Sequence, residues 1–597
     1  MQIVKLDINN FRGIKSASIL LPKHGVLIGD NNTGKTTILE ALDLVLGPDR
    51  LNRYPPIDEH DFYSGIYLNE EPSEGGGDSP KIEIHTVITE LSTEQRIEFG
   101  NYIEFWDSTS SQLYDIPDPE GVDATHIKPA IRVTFHGWYD PEEDDFQAKT
   151  FFSRSITEDD PPRQFTKKHK QICGFLYLRT VRTGRRALSL EKGSLLDIIL
   201  RLNEVRPQMW EKTLKEVSTI SIAEDPELGI SSILESINSS LKKYVPKEWG
   251  VEPQLKLSNL TRENLRQVIT AFIASGDGTH IAPYYRQGTG TINMLVLAML
   301  SQIAEAKQNV IFAMEEPETA IPPYAQKRII HEVQSLSSQT LFTSHSPFVL
   351  EEFEIKDTLV LTRGSEGTLE RKSITLPSGV KLKSYRQNFR TRFCEGLLAR
   401  KVLVAEGATE ASAFPAACRR LYELEPDKYL PLEALGISII DAGGEKHIPN
   451  IASIYKGLDK QTFSICDAQT EENQQRIEEQ VELNLMHEEK GFEKLVVNGT
   501  TEDALNAYAD SIDWPPHLRE KFFPLNNENT RTAILEFFKS TKAEGTVADF
   551  LSDLPIEAIP EWIKSAAEEL KTKCLKEIEP ITEEDASPSS VLEVSFL

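Results

Sequence analysis

Nine residues near the start, Gly29-Asp30-Asn31-Asn32-Thr33-Gly34-Lys35-Thr36-Thr37, constrain this chain more than any other stretch. They place a glycine, four residues and then Gly-Lys-Thr, the spacing of a loop that cradles phosphate. The apolar run Val26-Leu27-Ile28 before it reads as a short buried strand, and Thr37 to Leu46 after it has helical spacing that stops at Gly47-Pro48. A glycine-bearing loop between a strand and a helix presents amide N–H groups and the positive end of the helix dipole to an anion. Lys35 is then placed to reach β- and γ-phosphates, and the Thr36 hydroxyl to ligate Mg²⁺. Gly29, Asn32, Gly34, Lys35, Thr36 and Thr37 are the expected contacts of a bound nucleoside triphosphate.

Further along, Tyr285-Arg286-Gln287-Gly288-Thr289-Gly290-Thr291 opens a long apolar helix, Ile292 to Ala306. Its Gln287, Gly288 and Gly290 form a second turn at a helix start, suited to an anion. Val310 to Met314 is a continuous apolar strand ending in Glu315-Glu316-Pro317-Glu318, and Thr340 to Thr343 is another ending in Ser344-His345-Ser346. Buried strands alternating with helices predict an α/β core. A carboxylate at the end of a buried strand can hold Mg²⁺, and a second can orient the attacking water. Glu315 takes the first role and Glu316 the second, while His345 at the next strand end is placed to sense the γ-phosphate.

Length and charge narrow the rest. A chain of 597 residues holds several domains. No apolar run is long enough to span a membrane, and the start lacks a secretory h-region. The five cysteines, Cys173, Cys394, Cys418, Cys466 and Cys574, have no metal-like spacing. Together these predict a reducing, cytoplasmic location. The net charge is −28, and residues from Lys401 onward contribute most of it, with 19 Lys/Arg against 38 Asp/Glu. Such acidity argues against loose DNA coating but leaves room for a local site. Arg371 to Lys401 is such a reversal, with nine basic residues and Glu395 as its one acid. There Lys383, Arg386 and Arg390 share a helical face beside the Phe389, Phe393 and Leu397 stripe, which suits contact with a phosphate backbone as well as a solvated helix. From about Ser189 to Tyr244 the pattern turns helical, reading as a subdomain inserted between the phosphate loop and the Gln287-Gly288 turn, or as further helices of the same domain.

After the basic stretch, three strand-like runs each end in an acid: Val402 to Ala405 before Glu406, Gly436 to Ile440 before Asp441, and Thr462 to Cys466 before Asp467. Three such ends on one parallel sheet gather carboxylates where ligands bind in these folds. Hard oxygen donors suit Mg²⁺ or Mn²⁺. Each acid taken singly also fits a surface position or a helix cap.

The first set of motifs, opened by a Phe11-Arg12-Gly13 turn, resembles ABC-type ATPases of the SMC-like branch. There the segment equivalent to Gln287–Gly290 caps ATP held by the other subunit, which implies a homo-oligomer. Glu315 stands where Asp is usual, and Gln-Gly-Thr-Gly replaces the transporter-type signature. The second set resembles a Toprim domain: Glu406-Gly407 matches its first motif, and Asp467 opens its Asp-x-Asp motif with Gln469 at the second Asp. An ABC-type head followed by Toprim resembles the OLD (overcoming lysogenization defect) family nucleases. That resemblance implies Glu406 and Glu410 on one metal, Asp467 between two sites, Glu502 and Asp503 on the other, and a late lysine, for which Lys542 is nearest although Glu544 aligns first.

The expected architecture is α/β. An ABC-type ATPase domain spans 1–188 and 251–375, a helical insert with a possible dimerisation role 189–250, and a Toprim domain with a parallel sheet and C-terminal helices 376–597. The resemblance implies ATP with Mg²⁺ at the heads and two Mg²⁺ or Mn²⁺ ions at the Toprim centre. It implies DNA as substrate, a dimer or tetramer, and for some members a helicase-like partner protein. The expected function is an ATPase-linked, divalent-metal-dependent DNA endonuclease of anti-phage defence; the alternative is an ATP-gated DNA clamp or sensor with a degenerate nuclease centre.

Overall fold

The computed structural model describes residues 1–48, 50–52, 54–68, 79–155, 161–179, 189–190, 194–202, 206–218, 230–241, 261–275, 280–306, 310–319, 322–364, 366–374, 390–526 and 529–575. The chain divides into two compact units, Met1–Arg371 and Lys372–Leu597.

In the first unit β1 (Gln2–Phe11), β2 (Ile14–Leu20) and β3 (His24–Ile28) precede the phosphate loop, and the helix after it runs Lys35–Leu46. Next come β4 (Ile82–Thr89), β5 (Ile103–Asp107), β6 (Gln112–Tyr114), β7 (Ile127–Asp140) and β8 (Asp145–Phe152), an antiparallel wing that pairs onto β1 through β4. After β9 (Phe175–Leu178) the expected helices appear as Leu195–Leu202, Arg206–Ser218 and Ile230–Leu241. A hairpin of β10 (Phe272–Ser275) and β11 (His280–Pro283) leads into the Thr289–Ala306 helix. Then β12 (Ile311–Glu315), β13 (Gln339–Thr343), β14 (Thr358–Arg363) and β15 (Thr368–Lys372) complete the unit.

The strands β14-β3-β13-β12-β9 lie side by side and all parallel. This explains their near-continuous apolar sequences: a parallel strand is covered on both faces, so neither face is left polar. Val26, Leu27, Ile28, Ile311, Phe312, Leu341 and Phe342 are accordingly all fully buried. One buried polar side chain ties β1, onto which the wing pairs, to this core. Gln339 accepts from the Ile3 N–H at 2.7 Å and donates to the carbonyls of Ile3 at 2.8 Å and Pro22 at 2.9 Å.

The second unit holds β16 (Lys401–Ala405), β17 (Ile437–Asp441), β18 (Gln461–Cys466) and β19 (Leu483–Met486), all parallel in the order β17-β16-β18-β19. The helices Ala408–Leu424, Ile448–Lys456, Glu471–Glu478 and Phe492–Gly499 follow the four strands in turn. Further helices, the last described being Glu561–Leu575, add Phe538, Phe550, Ile563 and Leu570 to the core beneath Phe414 and Leu421. Phe393 and Leu397 of the anticipated stripe are buried. The side chains of Lys381, Lys383, Arg386, Phe389, Arg390 and Arg392 lie outside the described residues, so the basic face does too. All five cysteines are buried, and none is joined in a disulfide. Among the described residues no helix is long and apolar enough to cross a membrane.

Gln339 makes a clear test of how the wing is held. Gln339→Leu leaves one N–H and two carbonyls buried without their partner, and should destabilise the first unit by about 3 kcal/mol. Urea unfolding followed by a probe in that unit would read this as an earlier midpoint; an unchanged midpoint would show that the three bonds contribute nothing.

Candidate functional site

The phosphate loop starts where β3 leaves the sheet. Gly29 has φ +154°, and a Cβ there would sit 2.7 Å from the Leu361 carbonyl oxygen, so a side chain is excluded by the neighbouring strand. Gly34 stands before the helix at φ +107°, again in the region that favours glycine. Lys35 folds back over the loop, its Nζ donating to the Gly29 and Asp30 carbonyls at 2.8 Å each. Burial lowers the Lys35 pKa, against the charges of Asp30 and Glu316. A buried ammonium held by two carbonyls, at the N-terminus of a helix, suits a phosphate.

Parallel pairing brings the other strand ends to the same edge. Glu315 lies level with Thr343, and its Oε1 accepts from the Tyr177 hydroxyl at 2.5 Å. Glu316 takes φ 42°, outside the usual range for a non-glycine residue, and its N–H donates to the Thr343 carbonyl at 2.9 Å. His345 has a lowered pKa, by partial burial and then the Lys35 charge, against Glu316 and Asp30. Asp30, Lys35, Glu316 and His345 therefore share one electrostatic neighbourhood. Glu318, which the sequence reading passed over, anchors the last of them: its Oε1 accepts from Ser344 Oγ at 2.9 Å and the His345 N–H at 2.8 Å. The Phe-Arg-Gly turn is tied to the same helix, because Arg12 and Arg179 both pair with buried Glu40, the latter at 2.9 Å. Gln287, Gly288 and Gly290 start the Thr289–Ala306 helix as expected, with Gln287 Nε2 donating to the Ile273 carbonyl at 3.3 Å.

In the second unit the carboxylates meet at the carboxyl ends of β16 and β18. Glu406 Oε2 accepts from the Asp467 N–H at 3.1 Å and from Gln469 Nε2 at 3.0 Å. Gln469 thus supplies a neutral donor where an acid would add charge. Glu410, in the first turn of the following helix, is buried. That burial, with the charges of Asp467, Glu406 and Glu493, pushes its pKa up to about 7. Glu406 is raised as well, by burial and by Asp467. Glu493, a residue the sequence reading missed, is buried, accepts from Thr409 Oγ1 at 2.6 Å and pairs with Lys542 Nζ at 2.8 Å. Against partial burial, that bond and the charges of Glu493, Glu410 and Asp467 raise the Lys542 pKa.

Other expected ligands lie differently. Asp441 ends β17 as anticipated, and its Oδ1 accepts from the Gly443 N–H at 2.8 Å, closing its own turn. Glu502 and Asp503 open a helix with exposed side chains, Glu502 lying 4.0 Å from Arg531. The couplings of Glu410 and Lys542 run to Glu493 instead. Glu493 escaped the sequence reading because β19 is short and half-polar; the signal available was Gly491-Phe492-Glu493, an acid opening a helix after a fourth strand.

A divalent cation fits this donor set on the evidence of its charges. Four carboxylates lie close together, burial and then their mutual charge raise the pKa values of Glu406 and Glu410, and Asp467 Oδ1 is buried without a formed hydrogen bond. Among the described residues no three His, Cys, Asp or Glu side chains already stand in coordinating geometry, so closing on an ion requires side-chain rotation.

The raised Glu410 pKa has a stability consequence. A carboxyl raised from 4.5 to about 7 favours the folded state below pH 4.5, and that contribution is lost as pH rises through 7. In EDTA, the thermal midpoint of Glu410→Gln should therefore gain on the wild type between pH 5 and 8, with little difference at about pH 4.5. Parallel midpoint profiles would show that the Glu410 pKa is not raised in the folded state.

Similarity to known proteins follows the same division. Residues 26–351 match the family described as "AAA domain, putative AbiEii toxin, Type IV TA system", more than half of the chain. Residues 397–468 match "Overcoming lysogenization defect protein-like, TOPRIM domain". The Old nuclease of Escherichia phage P2 is 22% identical over 78% of this chain and 77% of its own length. Endonuclease GajA of Bacillus cereus (strain VD045) is 22% identical over 74% of this chain and 71% of its own. Among solved structures, the C-terminal region of the Burkholderia pseudomallei OLD protein aligns at 18% identity and a TM-score of 0.23, covering 30% of this chain and 98% of that one. The chain belongs to the overcoming lysogenization defect family, an AAA-type ATPase domain followed by an OLD-like Toprim domain.

Proposed function

We propose that the protein is an ATPase-linked, divalent-metal-dependent DNA endonuclease serving bacterial defence against phage. The observation that carries the reading is the coupled group of Glu406, Glu410, Asp467 and Glu493 with Lys542 at one sheet edge. The similarity of the chain to a nuclease and an endonuclease supports DNA as substrate. Two Mg²⁺ or Mn²⁺ ions would supply Lewis-acid stabilisation of the attacking and leaving oxygens in phosphodiester hydrolysis. Glu406 and Glu410 hold one side of the centre, Asp467 stands between, and Glu493 takes the role first expected of Glu502 and Asp503. Lys542, half-exposed, offers its ammonium to a DNA phosphate while Glu493 keeps it in place.

At the heads Lys35 holds the β- and γ-phosphates, Thr36 and Glu315 face the Mg²⁺ position, Glu316 orients the attacking water and His345 contacts the γ-phosphate. Tyr177 fixes Glu315 meanwhile. The Gln287–Gly290 turn serves the nucleotide of a second copy, which makes the working form a homo-oligomer. The competing reading, a nucleotide-gated DNA clamp, draws on one observation: the Gln469 amide occupies Glu406 where a second acid would bind metal.

The two centres should separate by mutation. Glu406→Ala or Asp467→Ala should abolish plasmid cleavage in Mg²⁺ or Mn²⁺ and leave ATP turnover within about twofold, because the lost ligand belongs to one centre. Lys35→Ala should abolish ATP turnover, and Glu316→Gln should keep binding while slowing turnover by at least about 100-fold. Wild-type protein that cuts no DNA with any metal yet binds it in an ATP-dependent way would establish the clamp.

Assembly is tested on the same variant. Glu316→Gln with ATP at micromolar concentration should scatter light as a dimer or tetramer; a monomer there would remove the shared-site role of Gln287–Gly290.

A further inference from the structure

The Asp467 carboxylate has a neighbour that none of these roles uses. Pairing of β18 with β19 sets Cys466 beside Met486, and one residue on, the His487 N–H still donates to the Cys466 carbonyl at 3.2 Å. The ladder therefore delivers His487 alongside Asp467. Its imidazole is wholly buried, with Nε2 3.2 Å from Asp467 Oδ1. The ring meets Trp562 and Phe492 edge-on, with centroids 5.2 and 5.9 Å away. Trp562 is itself held, since its Nε1 donates to the Met486 carbonyl at 3.3 Å. Asp467 Oδ1 and both ring nitrogens are buried without a formed hydrogen bond, whereas Asp467 Oδ2 accepts from the Gly491 N–H. Leaving an acid oxygen and an imidazole so close, buried and unbonded costs free energy that a small rotation recovers.

We propose that His487 is a positioning residue of the metal centre, donating from Nε2 to Asp467 Oδ1 and so fixing the plane of that carboxylate. The inference rests on Asp467 being a cation ligand. It follows from what this chain lacks: Gln469 directs its amide to Glu406, so Asp467 carries more of the coordination and its orientation matters more. With Gly491 N–H on one oxygen and His487 on the other, the carboxylate keeps one orientation, and its remaining lone pairs face the neighbouring acids. The aromatic walls stop the ring from turning away.

Two conservative substitutions in the full-length protein test this. In His487→Gln the amide nitrogen replaces Nε2, whereas in His487→Asn it replaces Nδ1 and falls short of Asp467. Both are polar and smaller than imidazole, so both leave a void and only the reach of the donor differs greatly. Titrated with Mn²⁺, His487→Gln should bind within about threefold of wild type and His487→Asn should bind 10- to 100-fold more weakly, the usual loss for an outer-shell partner. ATP turnover should be unchanged in both. Equal loss in the two variants, or wild-type affinity in His487→Asn, would overturn the role. Asp467→Asn is the control for the underlying reading: undiminished Mn²⁺ affinity there sinks the metal assignment itself. A measurement on unaltered protein covers a variant that fails to fold. With ¹⁵N-labelled histidine, one of the 12 imidazoles should stay protonated at Nε2 and shift on adding Mg²⁺. No ring behaving so would equally overturn the role.

Discussion

Parallel strand register is the constraint on which both centres depend. In the first unit Leu27 pairs beside Thr343, and Thr343 beside Glu315. The phosphate loop, Glu316 and His345 therefore leave the sheet at one level. In the second unit Ala405 lies level with both Asp441 and Ile465. Glu406 and Asp467 consequently emerge together, and the next pairing adds His487. Parallel strands connected through helices place all their carboxyl ends at one edge, which is where such sheets bind ligands. A slip of one residue would turn each of these side chains to the opposite face.

The two units treat buried charge in opposite ways. Glu40 lies under the phosphate-loop helix, but two guanidiniums meet it, so its charge fastens the Phe11-Arg12-Gly13 turn to that helix. Glu410 is buried beside Asp467, Glu406 and Glu493, and that burial, with their like charges, pushes its carboxyl up to about 7. A paired buried charge belongs to the scaffold. A buried cluster in mutual repulsion is poised for something positive, and Lys542 supplies part of that while bound to Glu493. Gln469 moderates the repulsion, because its neutral amide bonds Glu406 where a further negative charge would otherwise press.

The sequence alone determined the local elements and their chemistry. Glycine spacing defined the phosphate loop; continuous apolar runs marked β3, β12 and β16, because strands covered on both faces need no polar alternation, and shorter strand-like runs marked β13 and β18. Glu315, Glu316, His345, Glu406 and Asp467 were legible because each closes such a run. Only the tertiary structure decided which distant side chains share a charge environment. Tyr177 reaches Glu315 across 138 positions, and Thr409 reaches Glu493 across 84. Glu493 itself was hidden because the strand before its helix is short and its acidic surroundings look like solvated surface. The physical reason is that a residue's type sets the chemistry it can perform, whereas burial and neighbouring charges set the protonation state and direction in which it performs it. Those depend on packing between segments that no local pattern records.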